Sequence, residues 1–200
     1  LLSVMFFLMR DGSIFADKGV ELLPALYQGD ARRLLYELGQ VWNAYLRGQL
    51  SLALFMGVVV FTIATIIGMP KPLILGMISA VLEFIPSIGS GLAIFPAALL
   101  ALTGHSTTIP GLQGLPFAVV VAIIWALLQN IEAYILVPRV MGGSLNLHPI
   151  AVILGIIAGA SLAGVLGIIL AAPTVASVRI FGQYIYGKLM DRDPFPAAMR

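Results

Sequence analysis

Long apolar runs alternate along the chain with polar stretches and with short breaks rich in Gly and Pro. Leu1 to Met9 is apolar and stops at Arg10-Asp11-Gly12. As helix these nine residues cover about 13 Å, against a hydrocarbon core of about 30 Å, so they read as the end of a transmembrane helix that starts upstream. No basic stretch precedes the run and no clear small-x-small cleavage site follows it, so a signal peptide is the weaker reading. Residues 10–49 are polar, divided by Gly19, Pro24 and Gly29, with Asp30 placed to cap a following helix. In that helix Leu34, Leu38, Val41 and Tyr45 fall on one face, which predicts an amphipathic helix lying on the membrane or on the rest of the protein.

Leu50 to Ile67 is an uncharged run of eighteen residues, long enough to span a bilayer. Gly68, Pro70, Lys71 and Pro72 break it. The next two apolar pieces, Leu73–Ile85 and Gly91–Thr103, have thirteen residues each, or about 20 Å of helix. Pro86-Ser87-Ile88-Gly89-Ser90 between them cannot continue a regular helix. The pattern predicts a re-entrant hairpin or broken helix pair, against the alternative of two short tilted spans joined by a surface turn. Pro116–Val137 is a further span, ended by Pro138-Arg139. After a loop that closes at His148-Pro149, Ile150–Ala172 is uncharged and rich in small residues, among them Gly164 and Gly167, and Pro173 follows. It reads as one tightly packed span or as a second hairpin turning between Ser161 and Gly167. The order span, broken pair, span, small-residue pair suggests an internal repeat.

Composition fixes the class. Apolar residues make up 60% of the chain and charged residues only 10%, with a mean hydropathy of +1.04. A soluble domain carries about 25% charged residues, so this chain cannot cover a water-facing surface, and it is too apolar to be disordered. The expectation is an all-α, polytopic integral membrane protein. The net charge of +2 is too small to indicate nucleic acid, and the absence of cysteine excludes thiol chemistry, disulfides and Cys-based metal sites. If both broken elements return to the side they start from, ten of the eleven cations share one face and only Lys71 lies opposite. That asymmetry predicts a multi-pass protein of the plasma (inner) membrane with a cytoplasmic C-terminus.

Two acidic residues, Glu83 and Glu132, interrupt the apolar region. An intramembrane carboxylate is a functional candidate by default, because insertion of a charge at a helix centre costs about 2.5–3.5 kcal/mol. Trp125, Gln129 and Glu132 share a helical face, which should point into the bundle, although Glu132 is also close enough to the helix end to pair with Arg139. Glu83 precedes the Pro86 break, and Gly89, Ser90 and Gly91 offer free backbone N–H groups at the start of the next helix. The candidate binding set is therefore Glu83, Pro86, Gly89, Ser90, Gly91, Gln129, Asn130 and Glu132. Pro138, Pro149, Gly164, Gly167 and Pro173 are candidate structural or hinge positions. His148 is expected to make a local hydrogen bond, and neither it nor His105 has a partner at metal spacing. No Walker loop, His-Glu-x-x-His or nucleophile elbow occurs, so neither an ATP-driven pump nor an enzyme is indicated, and no cofactor or metal is called for.

Four segments, Tyr45-Leu-Arg-Gly-Gln49, Glu83-Phe-Ile-Pro-Ser-Ile-Gly89, Gln129-Asn-Ile-Glu-Ala-Tyr-Ile-Leu-Val-Pro-Arg139 and Leu147-His-Pro149 with the Gly-rich run to Pro173, resemble in order and spacing the autoinducer-2 exporter family of bacterial and archaeal membrane proteins. The resemblance implies an all-helical fold, of which this chain looks like the C-terminal two thirds. It also implies export of a small polar furanone derivative involved in quorum sensing, exchange of sodium or lithium for protons in some members, and assembly as a homo-oligomer.

The expected organisation is then the end of a truncated span at 1–9, a polar amphipathic helical region at 10–49, a transmembrane transport domain at 50–190 and a flexible tail at 191–200. Three functions compete. The first is a secondary transporter in which Gln129, Asn130 and Glu132 hold a small polar solute near the midplane while Glu83 or Glu132 takes up and releases a proton. The second is a sodium(lithium)/proton antiporter using the same carboxylates. The third is a membrane scaffold, which needs no polar cavity.

Overall fold

The computed structural model describes residues 16–85, 88–141 and 147–192. The elements are α1 (Ala25–Ile66), α2 (Pro72–Leu82), α3 (Gly89–Leu92), α4 (Ile94–Thr103), α5 (Gly114–Ile131), a π-helical segment (Glu132–Leu136), α6 (Val137–Met141), α7 (Pro149–Ile169) and α8 (Ala171–Leu189). The described residues contain no strand, only an isolated bridge between His105 and Gln113. The fold is all-α. The expected span end at 1–9 and most of the expected tail lie outside the described residues. Packing divides the chain into one unit of residues 1–43 with 176–200 and another of residues 44–175.

In the first unit, Asp30 is not a helix cap. α1 starts five residues earlier, behind Pro24, and Asp30 lies within it, where its carboxylate accepts from Lys188 Nζ at 2.6 Å and from the Tyr184 hydroxyl at 3.3 Å. The Trp42 indole N–H donates to Ser177 Oγ at 3.0 Å. The amphipathic face survives: Leu34, Leu38 and Val41 are half-buried. α1 runs through Gln49 without interruption, so the polar region and the first apolar run are one helix of 42 residues.

In the second unit, the apolar part of α1 packs against α2, with Gly57 facing Gly76 and Ala80. The chain then breaks, turns and comes back through α3 and α4 until Gly104 lies against the Pro70 ring, 3.4 Å from where a Cβ would stand. The broken element thus returns to the end it left. A latch fixes that end: Ser106 Oγ donates to the Ile67 carbonyl at 2.8 Å, Thr108 Oγ1 to that of Ile66 at 2.9 Å, and the Thr107 N–H to that of Gly68 at 3.1 Å. At the opposite tip Gln49 meets Glu83, so along α1 the hairpin reaches the start of the uncharged run rather than its middle. Pro86, at the tip, lies outside the described residues. α4 and α5 pack closely, Ala97 and Ala101 allowing approach to Phe117, Val121 and Trp125.

Pro138 does not end the fifth helix. Proline lacks the N–H for the bond to residue i−4 and its ring crowds that carbonyl. The chain accommodates this by widening into the π segment, where the Val137 N–H reaches the Glu132 carbonyl, and continues through exposed Pro138 and Arg139 to Met141. Pro149 opens α7 in the first turn, behind His148, whose Nδ1 accepts the Ile150 N–H at 3.3 Å.

The small-residue run resolves into a second hairpin. Ala163 and Gly164 leave helical geometry, with φ +59° at Gly164, a left-handed conformation natural to glycine. Beyond this kink Gly167 presses backbone to backbone on Gly159, and Gly155 meets Ala171 and Val175. In a straight helix residues 159 and 167 would stand about 12 Å apart. Contact therefore requires reversal, and any side chain at either glycine would block it. Pro173 is fully buried early in α8. Among the described residues three helices, Ala25–Ile66, Gly114–Val140 and Ile150–Ile169, are long and apolar enough to cross a membrane, but the third contains this reversal.

The radial distribution of polarity is inverted relative to a soluble bundle. Gln49, Ser79, Glu83, Ser106 and Glu132 are buried, while Phe55, Val58, Phe95, Leu99, Val119, Ile123 and Leu127 are exposed. An outer surface of this kind is solvated by lipid. The chain is an integral membrane protein.

Two predictions follow from these contacts. Because the chain has no cysteine, Gly155→Cys with Val175→Cys gives a clean cross-linking pair. A disulfide should form on mild oxidation, whereas a continuous helix would hold the two sites about 30 Å apart and give none. The hydrogen bond to Asp30 holds the Lys188 ammonium above the usual lysine range, partly opposed by its loss of hydration. A raised folded value stabilises below the unfolded value and is lost as pH rises through the folded one. The thermal midpoints of wild type and Lys188→Met should differ at neutral pH and converge at strongly alkaline pH.

Candidate functional site

Glu83 follows the last residue of α2, and Glu132 opens the π segment. Both residues are buried, 4% and 6% exposed, and their carboxyl groups are close enough to interact. Two ionised carboxylates offer each other no donor; with one proton between them, one O–H donates to the facing oxygen. Apart from the facing carboxyl, Glu132 Oε2 has no hydrogen-bond partner among the described residues. Arg139, the alternative partner suggested by the sequence, stands exposed two turns further on. The π segment contributes directly, because it re-phases the helix at Glu132, and such segments recur at functional sites.

At Glu83 lies a small, partly open pocket with about 240 Å³ of empty space, open solvent included, and room for about one water molecule; it is lined by Met56 and Val60 of α1, Ser79 of α2, Glu83, Ser90 of α3, Ala93, and Trp125, Leu128 and Gln129 of α5. Trp125 is 3% exposed, and its indole N–H has no partner among the described residues. No cluster of three potential metal ligands occurs among the described residues.

The structure brings together most of the residues singled out above. Glu83, Gln129 and Ser90 line the cavity, and Glu132 stands beside Glu83. Gly91 lies against the Gln129 amide, and buried Gly89 against the Leu82 carbonyl. Asn130 is not among them: it is exposed, and its side chain donates to the carbonyl of Ala126 at 2.7 Å on its own helix. Gln49, Ser79 and Tyr45 are additions. The buried Gln49 side chain donates to the Glu83 carbonyl, freed by the end of α2, and the buried Tyr45 hydroxyl donates to the Ile169 carbonyl at 2.7 Å. Their signal in the sequence was the Tyr45–Gln49 segment at the edge of the apolar run, which composition groups with the polar region.

The described residues form a lipid-solvated helical bundle with broken helices, a buried carboxyl pair and a small cavity beside Glu83. The sequence matches the model of the AI-2E family transporter over residues 1–187, and the chain belongs to that family. It is 34% identical to YueF of Bacillus subtilis (strain 168) over 89% of this chain and 46% of that protein. It is 32% identical to YrrI of the same organism over 88% and 48%. Both carry transport-protein names. The AI-2 transport protein TqsA of Escherichia coli (strain K12) is 26% identical over 90% of this chain and 49% of its own length. The chain spans about half the length of these relatives.

Gln49→Ala removes the donor to a buried carbonyl. Leaving that group unsatisfied should cost about 1–3 kcal/mol, read as a lower unfolding midpoint in detergent, while Asn130→Ala should leave the midpoint almost unchanged.

Proposed function

We propose that the full-length protein is a proton-coupled secondary transporter that exports a small, uncharged polar solute of the autoinducer-2 kind. The observation that carries this reading is the Glu83–Glu132 carboxyl pair beside a polar cavity, at the tip of a broken helix. A pair that holds one proton in one state of the cycle and releases it in another couples proton movement to a change in the cavity. The solute is uncharged because no cationic side chain lines the cavity to balance an anion, and Ser79, Ser90, Trp125 and Gln129 offer hydrogen bonds. The relative named for AI-2 transport is compatible with such a cargo.

We read α2–α4 as a re-entrant hairpin, supported by the return of Gly104 to Pro70, and α7–α8 as its counterpart. With two returning elements, chain connectivity assigns ten of the eleven cations to one side, which supports a cytoplasmic C-terminus in the plasma membrane. A sodium/proton antiporter would need more oxygen ligands than this pair provides, and a scaffold has no use for a buried carboxyl pair. Exposed apolar faces on α7, such as Leu162 and Leu166, suit contact with lipid or with further copies in a homo-oligomer.

The test is proton flux in proteoliposomes of the full-length protein, with and without autoinducer-2, sodium or lithium. Flux should depend on autoinducer-2 and fall to the leak rate of empty vesicles in Glu132→Gln. Substrate flux with an intact pH dependence in Glu132→Gln would refute the proton role, and flux driven by sodium or lithium alone would replace this reading with the antiporter.

A further inference from the structure

Trp125 is the one buried hydrogen-bond donor of the site that its neighbours leave unused among the described residues. Its indole N–H belongs to a side chain that lines the cavity, and hydroxyl and amide groups line the same space: Ser79, Ser90 and Gln129, with Glu83 at its edge. Trp125 and Glu132 are seven residues apart on one face, about 10 Å along the helix, with Gln129 between. Trp125, Gln129 and Glu83 line the same pocket, and no hydrogen bond joins the indole to either carboxyl among the described residues. Buried polar groups in proteins are almost always satisfied, and where protein atoms do not suffice, ordered water does so in cavities that offer two to four polar partners. The described pocket has five polar side chains on its wall and room for about one water molecule.

We propose that this cavity is a hydration chamber, in which water accepts the Trp125 indole N–H and, held by Ser79, Ser90 and Gln129, reaches Glu83. The chamber gives the carboxyl pair a proton route from the Trp125 side. This second role rests on the proton-coupled reading above; the occupancy by water does not. The groups facing the pair from the packed elements are uncharged: Gln49 from α1, Ser79 from α2, Ser90 from α3, and Trp125 and Gln129 from α5. Within the described site, water is therefore the chemical link between the pair and the chamber. Met56, Val60, Ala93 and Leu128 close the remaining walls and confine it.

The experiment is NMR of the full-length protein in nanodiscs, with 15N-labelled tryptophan. The Trp125 indole signal is assigned by its loss in Trp125→Phe, or in Trp125→Tyr should the first variant not fold. A cross-peak between this indole proton and water is expected, together with its loss in Ser79→Val, which removes a hydroxyl and adds a methyl group to the chamber wall. No water cross-peak in the wild type, or a cross-peak that persists unchanged in folded Ser79→Val, overturns the chamber. Neither result depends on transport, so a hydrated Trp125 in a protein without proton flux would refute the coupled reading while leaving the chamber standing.

Discussion

In a hydrocarbon solvent, every backbone carbonyl released by a broken helix must find its donor within the protein, and this constraint organises the chain. Of the described breaks in apolar sequence, three are met by side chains distant in sequence. The end of α2 is met by Gln49 at the Glu83 carbonyl, the end of α1 by Ser106 and Thr108 at the carbonyls of Ile67 and Ile66, and the turn into α8 by Tyr45 at the Ile169 carbonyl. An unsatisfied group in such surroundings costs several kcal/mol, so these few polar contacts weigh more than their number suggests. They fix where the hairpins begin and turn, and thereby which side chains can meet.

The meeting of Glu83 and Glu132 is a consequence. Neither helix alone holds an acidic pair. Glu83 is carried to the pair by the return of a hairpin tied at its tip to Gln49, and Glu132 by the π segment that Pro138 imposes on α5. One proline therefore acts on the site from six residues away. The two carboxyls lie where helix geometry is already interrupted, so the backbone around them has fewer fixed partners than a regular helix would give. A change in their protonation can then be transmitted through the hairpin tip more readily than through an uninterrupted helix.

Much of this was legible in the sequence, and the rest was not, for identifiable reasons. The apolar composition and the missing charge defined the class, and Pro86 to Ser90 marked the break. The small-residue run left one span and a hairpin equally open, because reversal depends on a single left-handed residue, Gly164, and on the contact of Gly159 with Gly167. Local rules misplaced two boundaries. Asp30 resembles a cap but is bound by Lys188 and Tyr184 from the far end of the chain, and Pro138 resembles a stop but is absorbed by a π turn. Periodicity put Glu132 and Gln129 on an inward face. It gave no information about Asn130, whose amide folds back on its own helix, or about Gln49, whose partner is thirty-four residues away.

The same constraint separates what is structural from what is available for function. Gln49, Ser106, Thr108 and Tyr45 are committed to carbonyls, and substitution there affects the fold before it affects any cargo. The Trp125 indole and the Glu132 carboxyl have no such commitment to the backbone among the described residues. Polar groups buried in an apolar bundle without a structural partner are costly to keep, and a transport cycle supplies a reason to keep them, since groups that must bind and release cannot be permanently satisfied. The division of the polar residues into those that cap breaks and those that remain open is thus what locates the working surface of this chain.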